Sequence, residues 1–364
     1  MVKIKNIFGG LLLLLCLTGC GKEEIPIVQE QEAWKCEDIE ISGLPENAFV
    51  CDIVSNGIYY EIELDVDYSR EEPATVNEYH FLDFWGNDRV ILQKSDMNTY
   101  SIAQNGEDML LCNTTEEGME VLTLSQDGSV KTVFLQNAPQ FPFIQTYGQY
   151  MVSIRNNFVD DTKKYENKLV LLDKEKDKET IIYCTMWDNE RAVGEDLDCV
   201  SMDDKTVCFT LNRHYDNKKS EFILFVYDIS ADKIVKEIPL RTQAYYAAYG
   251  KEQNSLLLSE TDEMTYMEEA GALGYIKDGA FVEQEKIPLI SASNMIRDGA
   301  YTGKGYYFTT YKAAYYWNVK TNKIYVYDYE WCKDKEYKML PTGEGLKFIV
   351  TDANRTFVRT LSVK

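Results

Sequence analysis

Histidine is almost absent from this chain: 364 residues hold two, His80 and His214. A His-rich metal site or a Ser-His-Asp triad would have to use one of them. His80 sits in the strand-like run Glu78-Tyr79-His80-Phe81-Leu82, and His214 in a stretch, 212–216, that reads as a loop. Both are expected to be structural. GxSxG, Walker A, GxGxxG and HExxH motifs are missing as well, so no catalytic residue and no cofactor are expected. The acidic pairs Asp65/Asp67, Asp160/Asp161 and Asp196/Asp198 lack the Gly turn and further carboxylate of an EF-hand loop, and no metal site is expected at them. Helical periodicity is nearly missing too; the one candidate, 262–273, reads equally well as a loop. Long apolar runs reduce to one, residues 7–17.

That run follows Lys3 and Lys5 and ends in Leu17-Thr18-Gly19-Cys20. It is too short to span a bilayer and fits the apolar core of a cleaved export signal. The last four residues resemble the lipobox of bacterial lipoproteins. The resemblance implies a diacylglyceryl thioether on Cys20, cleavage in front of it, and a lipid-anchored protein outside the cytoplasmic membrane. The anchor would lie in that membrane's outer face, or in the outer membrane of a two-membrane envelope. Cys16 follows the bulky Leu15 and is the poorer lipidation site. Residues 1–19 are then signal peptide and 20–35 a polar, acidic, flexible tether, which reaches at most about 50 Å when extended. The two acyl chains implied would hold the chain stably to the membrane.

The formal net charge is −22 and becomes −24 once Lys3 and Lys5 are removed. Such an excess repels nucleic acid and anionic headgroups and favours a neutral or cationic ligand. Nine cysteines become seven when Cys16 is cleaved off and Cys20 lipidated. An odd number without CxxC spacing is not a disulfide scaffold. One pair has a geometric case: with Asp203-Asp204 as a two-residue hairpin loop, Cys199 faces Cys208 at a close strand pair, a candidate disulfide that competes with two buried thiols.

What is abundant is short alternating segments rich in aromatic and β-branched residues, helped by 26 Tyr. The chain is all-β. Its most turn-like hairpin loops, marked at 87, 128, 176, 232, 279 and 322, lie 41, 48, 56, 47 and 43 residues apart, about 47 on average. That period fits a four-stranded propeller blade, each marker being the turn into the outermost strand. One more period runs past Lys364, so the last blade has three strands of its own, and one period before 87 falls on Glu37-Asp38-Ile39-Glu40-Ile41-Ser42. This N-terminal strand is expected to complete the last blade, giving seven blades over 36–364. Six or eight blades, or tandem β-sandwiches, are the alternatives, since the 56-residue interval has room for an insertion. The segments 226–240 and 317–328 resemble YVTN-type propeller repeats, which implies the same fold.

Propeller ligands commonly sit on loops at the axial mouth. Candidate contact residues there are Trp187, Asp188 and Asn189 on the connection into the fourth blade, then Tyr245, Tyr246 and Trp331; aromatic and Asn/Asp mixtures stack on sugar rings and bond hydroxyls. The reading is a monomeric, lipid-anchored binding or scaffold propeller for a protein, peptide or glycan. The alternative is a carbohydrate-active hydrolase or lyase with paired carboxylates in the axial pocket.

Overall fold

Alternating apolar and polar residues, broken by Gly, Asn and Asp turns, give a chain of antiparallel hairpins. The computed structural model describes residues 27–28, 33–67, 74–95, 99–102, 106–115, 118–136, 144–159, 163–188, 190–216, 218–260, 271–286, 296, 298–310, 313–328, 337–339, 345–352 and 355–364. Cys20 and residues 1–19, the expected signal peptide with Cys16, lie outside them, as does all of 262–273 except its last three residues, where a strand begins.

Two N-terminal strands, β1 (Ile27–Val28) and β2 (Trp34–Ile41), precede the repeats. The first unit is β3 (Phe49–Ile53), β4 (Gly57–Asp67), β5 (Ala74–Asp83) and β6 (Asp88–Ser95). The second is β7 (Thr99–Ile102), β8 (Met109–Thr115), β9 (Gly118–Leu124) and β10 (Val130–Gln136). The third is β11 (Ile144–Tyr147), β12 (Tyr150–Val159), β13 (Lys164–Asp173) and β14 (Lys178–Asp188). The fourth is β15 (Val193–Met202), β16 (Thr206–Tyr215), β17 (Lys218–Asp228) and β18 (Lys233–Leu240). The fifth is β19 (Ala244–Gly250), β20 (Ser255–Glu260), β21 (Ala272–Lys277) and β22 (Ala280–Lys286). The sixth is β23 (Asp298–Tyr301), β24 (Gly305–Thr309), β25 (Ala313–Asn318) and β26 (Lys323–Asp328). The last has β27 (Tyr337–Met339), β28 (Leu346–Asp352) and β29 (Arg355–Val363), with β2 beside β29.

All six marker turns join the third strand of a unit to its outermost one. Each needs left-handed backbone, supplied by Gly86, Gly128, Asp177, Asp232, Asp278 with Gly279, and Asn322. In several units the residue opening this turn also caps it. Asp83, Asp173 and Asp228 each accept the backbone N–H of a residue three or four further on, at 2.8, 3.2 and 2.9 Å. In the sixth unit Asn318 does the same for Thr321 at 3.0 Å.

The expected closing strand is where the spacing put it. β2 runs antiparallel to β29 from Trp34↔Val363 to Ile41↔Thr356. Arg359 forks onto the Asp38 carboxylate at 2.7 and 2.6 Å, a bidentate pair that fixes the register. Trp34 and Ile41, at the two ends of β2, are buried. Two findings revise the picture of 20–35 as free tether. Trp34 and Lys35 belong to the closing strand, and Ile27 and Val28 pair in parallel with Ile324 and Tyr325 on β26.

The core is divided into clusters, each shared by two consecutive units. Tyr59, Phe81, Met109 and Leu122 join the first and second; Trp317, Phe308, Leu257 and Tyr246 join the fifth and sixth. Ile41, Val358 and Ile349 of the last unit pack with Ile53, Ile58 and Leu82 of the first. A pair of sandwiches would give each sheet one partner; here units have neighbours on both sides, the propeller arrangement. Among the described residues the 56-residue interval between 176 and 232 holds β14 to β17 and no further element; those strands are simply 10 or 11 residues long.

The candidate Cys199–Cys208 pair is corrected by the register. A bulge between Cys199 and Ser201 shifts the pairing by one residue, so Cys208 faces Ser201 and Cys199 faces Phe209. Cys208 is a buried thiol outside any disulfide, and burial pushes it up to about 12.

Candidate functional site

Six strands of the third and fourth units, β12 to β17, are 10 or 11 residues long, as β4 and β5 of the first unit are, and at the far ends of β14 and β15 the two sheets become one. Trp187 and Asp188, the last residues of β14, pair with Gly194 and Val193, the first of β15. Eight strands, β11 to β18, are thereby hydrogen-bonded in sequence. The predicted contact residues Trp187 and Asp188 are therefore the seam of this sheet. They lie on an outermost strand and not at an axial mouth, because β14 is the strand farthest from the inner one. Asp188 also caps the turn into β15 by accepting the Arg191 N–H at 3.2 Å. Asn189 and Trp331 fall outside the described residues.

A row of rings crosses the joined sheet. Phe158 on β12 packs on Tyr165 of β13 with centroids 5.1 Å apart. Tyr165 pairs with Trp187, Trp187 with Gly194, and Gly194 with His214. Trp187 and His214, two strands apart, meet edge to face at 5.5 Å and 88°. Gly194 permits this: it has φ +131°, and a Cβ there would lie 2.5 Å from the Met186 carbonyl oxygen. His214 continues the row to Phe222 at 6.4 Å and shares a hydrogen bond with Ser220 through Nδ1 at 3.0 Å. Phe158 is 47% exposed, and Met186 and Tyr215 are exposed beside the row.

Charged groups around the row are tied to one another. Arg213 donates to Glu195 at 2.8 Å, Arg191 pairs with Asp216, and Lys168 with Glu166 at 2.6 Å. Tyr215 donates to Glu221 at 2.9 Å while Lys218 lies over its ring at 5.4 Å. The surface is thus an aromatic strip in a charge-neutralised border. It can stack on a planar or apolar face and offer hydrogen bonds at the rim.

The adjacent Tyr245 and Tyr246 of β19 part at a register shift that leaves Tyr245 out of the pairing with β20. Tyr245 points out and is 48% exposed, whereas Tyr246 is buried and donates to the Gly299 carbonyl. Tyr246 is a core residue between the fifth and sixth units, and the expectation that it contacts ligand is corrected. His214, read as a loop residue, is inside β16. With Phe158, Tyr165 and Phe222, it is what sequence reasoning left out of the site. The available signal was the unbroken succession of long alternating runs between 150 and 228, where six consecutive strands have 10 or 11 residues.

His80 is structural. It is buried, its ring stacks on Tyr60 at 4.6 Å and 16°, Nδ1 lies 3.2 Å from both Asp88 oxygens, and Nε2 lies 3.0 Å from Glu78. A groove of about 240 Å³ opens between the third and fourth units, lined by Tyr150, Asp173, Lys176, Lys178, Tyr227 and Asp232 among others. Burial pushes the Asp173 carboxyl up, but Lys176, backbone N–H groups and Gln149 more than offset this and hold it below its usual range. It is a paired turn cap, not the protonated acid that glycoside hydrolysis requires.

No family model matches the chain, and no curated protein matches it. Solved structures do. The β-propeller domain of the Trilobed protease from Pyrococcus furiosus, described as having an open velcro topology, is similar with a TM-score of 0.51 at 11% identity, over 87% of this chain and 94% of that one. The acylaminoacyl peptidase of Pyrococcus horikoshii gives 0.50 at 12% identity, over 83% of this chain, which spans about half (49%) of that protein's length. At such identities the likeness concerns the fold alone. Consecutive four-stranded units packed on both sides, together with the likeness of fold to these structures, make the chain a β-propeller.

Proposed function

We propose that this protein is a lipid-anchored, extracytoplasmic binding or scaffold propeller of seven blades, and that its protein, peptide or glycan ligand docks on the joined sheet of the third and fourth units. The aromatic row from Phe158 to Phe222 is the observation that carries this reading. Rings at a surface are costly to leave unoccupied and supply most of the energy of typical recognition patches. The neutralised charges at its border suit a partner without strong net charge. The lipobox-like segment and the strands that begin a few residues after it support presentation outside the membrane.

The test is a pull-down of the lipidated protein from its native envelope, paired with a glycan array, using wild type and Trp187→Ala. The expected result is one saturable ligand, protein or sugar, whose binding weakens by roughly 30-fold in the variant, as for an aromatic hot spot. Capture that is indifferent to Trp187→Ala, Phe158→Ala and Tyr165→Ala would remove the joined sheet as the binding surface.

A further inference from the structure

The whole-chain charge argues against anionic lipid, yet charge is not spread evenly. Sixty of 364 residues are acidic, but the stretch 299–327, which covers most of the sixth unit, contains none and carries Lys304, Lys312, Lys320 and Lys323. The turn into the outermost strand shows the change residue by residue. Asp83, Asp173 and Asp228 open it in three other units, whereas Asn318 opens it here and keeps the capping hydrogen bond without the charge. Lys304, Lys320 and Lys323 are exposed, and none takes part in an ion pair among the described residues. Val319 N donates to the Lys304 carbonyl at 3.2 Å, so the 302–304 and 319–322 turns lie together at one end of the unit.

The N-terminal chain arrives at that same end. β1 is parallel to β26, with Ile27 opposite Ile324 and Val28 opposite Tyr325. The chain therefore enters the pairing from the Lys323 side. Seven residue steps separate Ile27 from Cys20, a reach of at most about 25 Å. Charges beyond about 8 Å are largely screened at physiological salt, so three exposed lysines can attract an anionic surface although the protein as a whole is acidic.

We infer that the end of the sixth unit bearing Lys304, Lys320 and Lys323 faces the membrane and rests on anionic lipid headgroups. The inference rests on the lipid-anchor reading proposed above and adds an orientation to it. The anchor and lysines hold one rim of the propeller down, and the joined sheet of the third and fourth units belongs to other blades.

Amine-reactive labelling, read lysine by lysine, tests it. The lipidated protein is reconstituted in phosphatidylcholine vesicles with and without phosphatidylglycerol. Lys304, Lys320 and Lys323 should label about fivefold less on the anionic vesicles, with Lys178 and Lys233 of the third and fourth units unchanged. High salt should abolish the protection, and Lys320→Glu with Lys323→Glu should do the same; Asn318→Asp, which retains the turn cap, should weaken it. Equal labelling of all five lysines on both vesicles would overturn the orientation. Protection in native envelopes but not on protein-free anionic vesicles would also overturn it, in favour of an acidic protein partner. The mass of the N-terminal peptide from the same sample separates the two readings. An acylated Cys20 with unprotected lysines sinks the orientation alone, whereas an unacylated chain sinks the anchor and the orientation with it.

Discussion

The sixth unit and the joined third and fourth units follow one plan and treat their edges in opposite ways. In the sixth, strands are four to six residues long and the outermost, β26, is covered by two residues of the chain's own N-terminus. In the third, strands reach 10 or 11 residues and the outermost, β14, runs into the first strand of the next unit. Both devices satisfy backbone groups that an open edge would leave for another chain. Their side chains differ accordingly. The sixth unit turns its rings inward, Trp317 stacking on Tyr306 at 5.4 Å and 13° and meeting Tyr275 edge-on at 5.7 Å. The joined sheet carries its rings out along the overhang.

The largest effect that sharpens this contrast concerns neither region but the strand that completes the last unit. Deleting 34–41 removes Trp34, Ile41 and the Asp38–Arg359 pair at once, and cooperative thermal unfolding should disappear. Next comes the same substitution made in each region. Trp317→Ala empties a fully buried site and should cost about 3–5 kcal/mol in denaturant unfolding. Trp187→Ala should cost only about 1 kcal/mol of stability, since the residue is half-buried, while abolishing most ligand capture. Equal stability losses would mean that the row is core and not surface.

Gly194→Ala attacks the seam itself. A Cβ in the +131° backbone, 2.5 Å from the Met186 carbonyl oxygen, should cost on the order of 1–3 kcal/mol. Hydrogen exchange should quicken at residues 187–194 and leave the sixth unit untouched. The turn caps provide the smallest and most pH-specific comparison. Burial pushes the Asp228 carboxyl up, but Lys251, Ser230 and the Ala231 N–H outweigh it and bring it to about 2 from 3.8. A carboxyl lowered on folding stabilises above its unfolded pKa and loses that contribution as pH falls through the folded one. Asp228→Asn should therefore remove up to about 2 kcal/mol at neutral pH and flatten the acid limb between about pH 4 and 2. Asn318→Asp in the sixth unit should leave neutral-pH stability within about 0.5 kcal/mol of wild type.

Much of this molecule was legible as spacing. The six turn markers, the three-stranded last unit and the strand that completes it all follow from a period of about 47 residues, because each unit must bury both faces against neighbours of equal size. The register of single pairs was not legible. A one-residue bulge at 199–201 moved Cys208 away from Cys199, and bulges depend on the twist a strand adopts among its neighbours. Nor did alternation by itself separate Tyr245 from Tyr246 as surface and core, since which face is buried depends on the adjoining unit.

The sequence by itself determined the all-β class, the repeat, the outer turns and the closing strand, because these rest on local backbone preference and a hydrophobic period. It also held the acid-free stretch 299–327 in plain view. Only the tertiary structure decided that β14 would join β15, that Trp187 and His214 would meet over Gly194, and that β1 would lie along β26 beside Lys304, Lys320 and Lys323. Those contacts unite residues from separate strands and turns, and their geometry is set by how twisted sheets stack around one another.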